Sequence, residues 1–86
     1  MTIHSRNAAD AVNIAETAIY ANLLALADRL AEAATLAAEA AAASKRGKQN
    51  LAIGTALPID DLLSQSKCLY DAAIALHRHA NKGVIP

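Results

Sequence analysis

Large apolar residues recur at helical spacing along the first half of the chain. Val12, Ile19, Leu26, Ala33 and Ala40 repeat every seven positions, and Leu23, Leu30 and Ala37 lie four beyond members of that series. This 3–4 alternation marks one face of an α-helix. Tyr20, Ala27, Ala34 and Ala41 run beside it, followed by Leu24, Ala31 and Ala38, while Asn22, Asp28, Arg29, Glu32, Thr35 and Glu39 gather elsewhere. The apolar surface is therefore wider than one seam, which implies contact with two or more helices. A second series, Ile59, Leu62, Ser66, Leu69, Ala73, Leu76 and Ala80, predicts another helix, with Leu63, Tyr70 and His77 flanking its seam.

Punctuation sets the predicted boundaries. Asn7 is a suitable N-cap with Asp10 three residues later, and no Gly or Pro occurs before Gly47, a natural C-cap after the basic pair Lys45 and Arg46. The first helix is expected over residues 7–46, a rod of roughly 60 Å. Pro58 and the acidic Asp60 and Asp61 suit the opening of a second helix over residues 58–82, which Gly83 should end. Between them, Gly47, Asn50, Gly54 and Thr55 predict an interhelical loop over residues 47–57. Its apolar Leu51, Ile53 and Leu57 suit either a lid folded over the bundle end or a contact site for a partner. Residues 1–6 and 83–86 read as flexible ends of a single 86-residue domain.

The expected fold is all-α, a long helical hairpin. The helices are unequal, so the shorter one should cover the first from residue 46 back to about residue 22 and leave residues 8–21 overhanging. That overhang carries Val12, Ile14, Ile19 and Tyr20. Burying each large apolar side chain contributes about 1.5–3 kcal/mol, so a second copy of the chain is the simplest cover. A homodimeric four-helix bundle follows as the expectation, with Val12, Ile19, Tyr20, Leu23, Leu26, Leu30, Leu51, Ile53 and Leu57 as candidate interface residues.

Composition supports a close-packed helical assembly. Of 23 alanines, 17 lie within residues 8–43, and the chain has no Phe or Trp and only two Tyr. Alanine is the strongest helix former but has little side chain to bury, so neighbouring backbones must come close, toward the low end of the usual ~8–10 Å. Such a thin core needs a disulfide, a metal or a partner. The lone Cys68 excludes an internal disulfide, and no Cys/His cluster suggests zinc. Formal net charge is zero, but residues 1–43 carry five acids against two bases and residues 44–86 three against six, a dipolar pattern that suits antiparallel or head-to-tail association of the two halves. The uncharged stretches are too short to span a bilayer and the N-terminus lacks an apolar signal segment. A cytoplasmic protein without membrane contact is expected.

Candidate chemistry is sparse. His79-Ala80-Asn81-Lys82-Gly83 resembles the His-x-x-Lys-Gly core of histidine phosphotransfer domains, which are four-helix bundles. That resemblance implies His79 as phosphoryl acceptor and Lys82 as the balancing charge. It covers five residues, and where the family continues its helix with small residues this chain has Val84, Ile85 and Pro86. The alternative is a basic helix end complementing the dipole. Lys45, Arg46 and Lys48 form a basic cluster that could hold a phosphate or a nucleic-acid backbone, and without aromatic or Asn/Gln readout partners it is a weak nucleic-acid signal. Glu16 on the apolar face lacks the Glu-x-x-His pattern of bundle metal sites. His77 and His79 point to different sides of a helix. No catalytic residue, metal or cofactor is assigned, and the expected work is protein–protein interaction with itself and with another protein, as a small regulator, adaptor or assembly subunit.

Overall fold

The computed structural model describes the backbone of residues 8–81 and the side-chain environments of residues 13–80. Three helices follow one another: α1 Ala8–Lys45, α2 Gln49–Ala56 and α3 Ile59–Asn81. The two long helices form the expected hairpin. Asn7 and the predicted flexible ends lie outside the described residues.

α1 is one unbroken rod of 38 residues, as its alanine content dictates. Gly47 ends it with a φ of +81°, a conformation in which a Cβ is strained. The Gly47 amide donates to the Ser44 carbonyl at 2.9 Å and the Lys48 amide to the Ala43 carbonyl at 2.9 Å. Together they form a Schellman turn that satisfies the last carbonyls of α1. Ser44 and Gln49 then bind each other across the corner. The serine hydroxyl donates to Gln49 Oε1 at 2.9 Å, and Gln49 Nε2 donates to the serine carbonyl at 3.2 Å.

The connection corrects the predicted loop over residues 47–57, because most of it is helix. Gly54 and Asn50 are poor helix formers, but propensity is worth only ~1 kcal/mol per residue and packing overrides it. α2 rests on α1, and Ala52 is its buried residue. The Lys48 carbonyl accepts the Ala52 amide at 3.0 Å, which starts the helix without a side-chain cap. Leu57 keeps helical geometry at φ −54°, ψ −42° although Pro58 follows. The Pro58 carbonyl accepts the Leu62 amide at 3.2 Å and opens α3.

This helical connection changes the register. Arg29 Nε donates to Gln65 Oε1 at 2.7 Å, so those residues lie at about the same level. Counting outward at 1.5 Å per residue, Ile59 falls beside about residue 35 and Asn81 beside about residue 13. The expected overhang of residues 8–21 therefore shrinks to residues 8–12. α2 rests on the carboxyl end of α1 and α3 runs beside α1 from about residue 35 to about residue 13.

The α3 seam is the predicted one. Leu62, Ser66 and Ala73 are buried, and Ile59, Leu69, Leu76 and Ala80 are half-buried. The buried Ser66 hydroxyl donates to the Leu62 carbonyl at 2.7 Å, the usual way for a serine to sit inside a helix. The α1 seam differs. Ile19, Leu26, Ala33 and Ala40 face inward as expected, but the other inward rail is Ala15, Asn22, Arg29, Leu36 and Ala43. Asn22 and Arg29, placed with the polar residues from the sequence, lie half-buried on this seam, while Leu23 and Leu30 are 45% and 44% exposed. Arg29 is accommodated because its stem lies along apolar surface while its guanidinium bonds Gln65.

Candidate functional site

The hairpin is a single layer. The chain extends over 67 × 28 × 13 Å with a radius of gyration of 19.7 Å, against about 12 Å for a compact chain of this length. Its accessible surface is 6388 Å², well above the roughly 4800 Å² of a folded monomer of this mass. Among the described residues, only Ala33, Ala43, Ala52, Leu62 and Ala73 form the buried apolar core. Domains close their cores between packed layers, and the described helices lie in one.

Among the described residues, the large exposed apolar side chains Ile14, Leu24, Leu51, Ile53 and Leu57 stand apart, while Tyr20, Leu23, Leu30, Leu63 and Tyr70 gather on one side. At 100° per residue, Leu23, Leu30 and Ala37 form one rail along α1, and Tyr20, Ala27, Ala34 and Ala41 form a second rail beside it, all exposed. The first sits about a quarter turn from the inward seam and the second about a third of a turn, in the same sense. On α3, Leu63, Tyr70 and His77 form an exposed rail a quarter turn from its own seam. Because the helices are antiparallel, these rotations lead to the same side of the layer. Asp28, Glu32 and Glu39 fall on the opposite side. One side of the hairpin is therefore a continuous apolar surface, with Tyr20 65% exposed.

Lys67 borders this surface on α3. Its ammonium donates to Asp71 Oδ1 at 2.8 Å and stands 5.8 Å from the Tyr70 ring centroid. The hydrogen bond and charge of Asp71 hold the lysine above its ordinary pKa. Glu16, exposed, is the charged residue at the amino end of the α1 stripe, and Lys45 follows one turn beyond Ala41 at the other end.

The remaining predicted positions separate into groups. Ile19 and Leu26 lie on the inner seam, and the Val12 side chain is outside those described. Leu51, Ile53 and Leu57 are exposed at the hairpin tip, with Leu57 70% open to solvent. The exposed Lys45, Arg46 and Lys48 lie in and beside the corner next to them. His79 is exposed near the end of α3, far from that basic corner, and Lys82 lies outside the described residues. The structure therefore does not bring His79 together with the corner lysines. Cys68 is free and exposed.

A shallow groove of about 460 Å³ lies along α1 between Asn13, Ile14, Thr17, Ala18 and Ala21, and among the described residues no charged side chain lines it. The Thr17 hydroxyl there donates to the Asn13 carbonyl at 3.0 Å. Among the described residues no group of three His, Cys, Asp or Glu could hold a metal, every buried polar side chain has a hydrogen-bond partner, and no helix is long and apolar enough to cross a membrane. What the described residues present is an exposed apolar surface. Sequence reasoning named many of its residues, but Leu63 and Tyr70 became visible as part of it only through the hairpin geometry. No family model matches this chain, and neither a curated protein nor a solved structure matches it.

Proposed function

We propose that this chain is a non-enzymatic protein that works through helix–helix contact, with a second copy completing a homodimeric four-helix bundle. The observation that carries this reading is the continuous apolar side of a one-layer hairpin. Tyr20, Leu23, Leu30, Leu63 and Tyr70 are all about half exposed or more, and covering each contributes about 1.5–3 kcal/mol. The face is roughly 40 Å long and two helices wide, which gives an area close to the ~800 Å² per partner of a stable interface. The tip, with Leu51, Ile53 and Leu57 beside Lys45, Arg46 and Lys48, then serves as the surface for a different protein, one that is both apolar and acidic.

Light scattering coupled to size exclusion tests the self-association. The expected mass is twice the 8.9 kDa of the chain. Leu23→Glu with Leu30→Glu should convert it to a monomer, because each carboxylate would lie buried and unpaired in the interface. A wild-type chain that stays monomeric at micromolar concentration refutes the proposal.

A further inference from the structure

We propose that the second copy lies antiparallel to the first, with α1 packed along α1 of its partner so that large side chains of one meet alanines of the other. This rests on the self-association proposed above and adds its direction and register.

The exposed stripe on α1 is built from two rails spaced by seven, Glu16, Leu23, Leu30, Ala37 and Tyr20, Ala27, Ala34, Ala41. The midpoint of the stripe falls between Ala27 and Leu30. A two-fold axis through that midpoint sets Leu30 opposite Ala27 of the partner subunit and Leu23 opposite Ala34 of the partner subunit. The same axis sets Tyr20 opposite Ala37 of the partner subunit. One rail meets the other at every step, as in an antiparallel helix pair. Each of these layers then holds one large side chain and one alanine, so the combined width is even along the rod and the helices stay parallel and close. A parallel pairing would stack Leu23 and Leu30 on their own copies at one end and alanine on alanine at the other. The axes would splay, and the alanine half would lose its packing.

Charge favours the same direction. Glu16 is the charged residue on the stripe, and the antiparallel register sets it opposite Ala41 of the partner subunit. Lys45 of the partner subunit follows one turn later, within reach of a long side chain. The two-fold repeats this pair at both ends of the interface. A parallel arrangement instead brings Glu16 against its own copy, a like-charge contact that costs stability.

Cross-linking in the full chain tests the arrangement. With Cys68→Ser as background, proteins carrying Leu23→Cys and Ala34→Cys are mixed and exposed to a mild oxidant. The expected product is a mixed 23–34 disulfide dimer. Ala34→Cys alone should remain unlinked, because its two copies would stand about 16 Å apart along the axis. Glu16→Cys mixed with Ala41→Cys gives a second readout that leaves every large apolar residue in place. A self-linked Ala34→Cys dimer overturns the proposal in favour of parallel helices. A link between Leu30→Cys and Leu63→Cys proteins overturns it in favour of α1 packed on α3. A dimer by light scattering that yields none of these links also overturns it. All three outcomes leave self-association standing, whereas a monomer removes both.

Discussion

Two glycines in one corner make opposite predictions. Gly47 has a φ of +81° and Gly54 does not, yet a Cβ added at either would meet nothing within 4 Å. Gly47→Ala therefore costs only backbone strain, about 1–2 kcal/mol, while Gly54→Ala should stabilise by about 0.5–1 kcal/mol by stiffening a helical position. Thermal unfolding of the two variants should move the midpoint in opposite directions. Ala73 is 3% exposed on the seam of α3, and Ala73→Leu should cost about 1–3 kcal/mol because the close backbones leave no room. The C-cap role of Gly47 was legible from a single residue, since few others serve there. The helical state of Gly54 was not, because nothing local distinguishes a glycine that breaks a helix from one that packing holds inside it.

The long helices were legible because their signals agree: uninterrupted alanine, a basic end with glycine, then proline with two acids. The α3 seam follows its periodicity, with Ala72 and Ile74 also half-buried beside it, because that helix has one apolar side and one polar side. On α1 the apolar residues cover more than half the circumference, so periodicity finds the helix but not which part faces its own chain. In the structure Asn22 and Arg29 take the inner seam, with Arg29 bonded to Gln65, and Leu23 and Leu30 face outward. The connection was missed because α2 depends on contact with α1 rather than on its own residues. Ala52→Asp would place a carboxylate against α1 and should release α2. Hydrogen exchange is expected to show loss of protection across Gln49–Ala56 while the α1–α3 pairing persists.

For the molecule as a whole, the decisive quantity is surface. The expectation of a partner drew on an overhang that the structure shortens to residues 8–12, and the proposal of one rests instead on the exposed apolar side of the layer. Sequence periodicity could not show this, because it depends on two helices presenting apolar rails to one side. If self-association stabilises the fold, the unfolding temperature should rise with protein concentration in the wild type and stop doing so with Leu23→Glu and Leu30→Glu. A flat dependence in the wild type would argue against coupling of folding to association. Tyr20 and Tyr70 are the chain's entire set of aromatic residues, and both stand on the side that the partner is proposed to cover. The chain thus carries its own optical gauge, and near-ultraviolet absorbance or phenol emission followed through a dilution series would report the separation of two copies without any added dye.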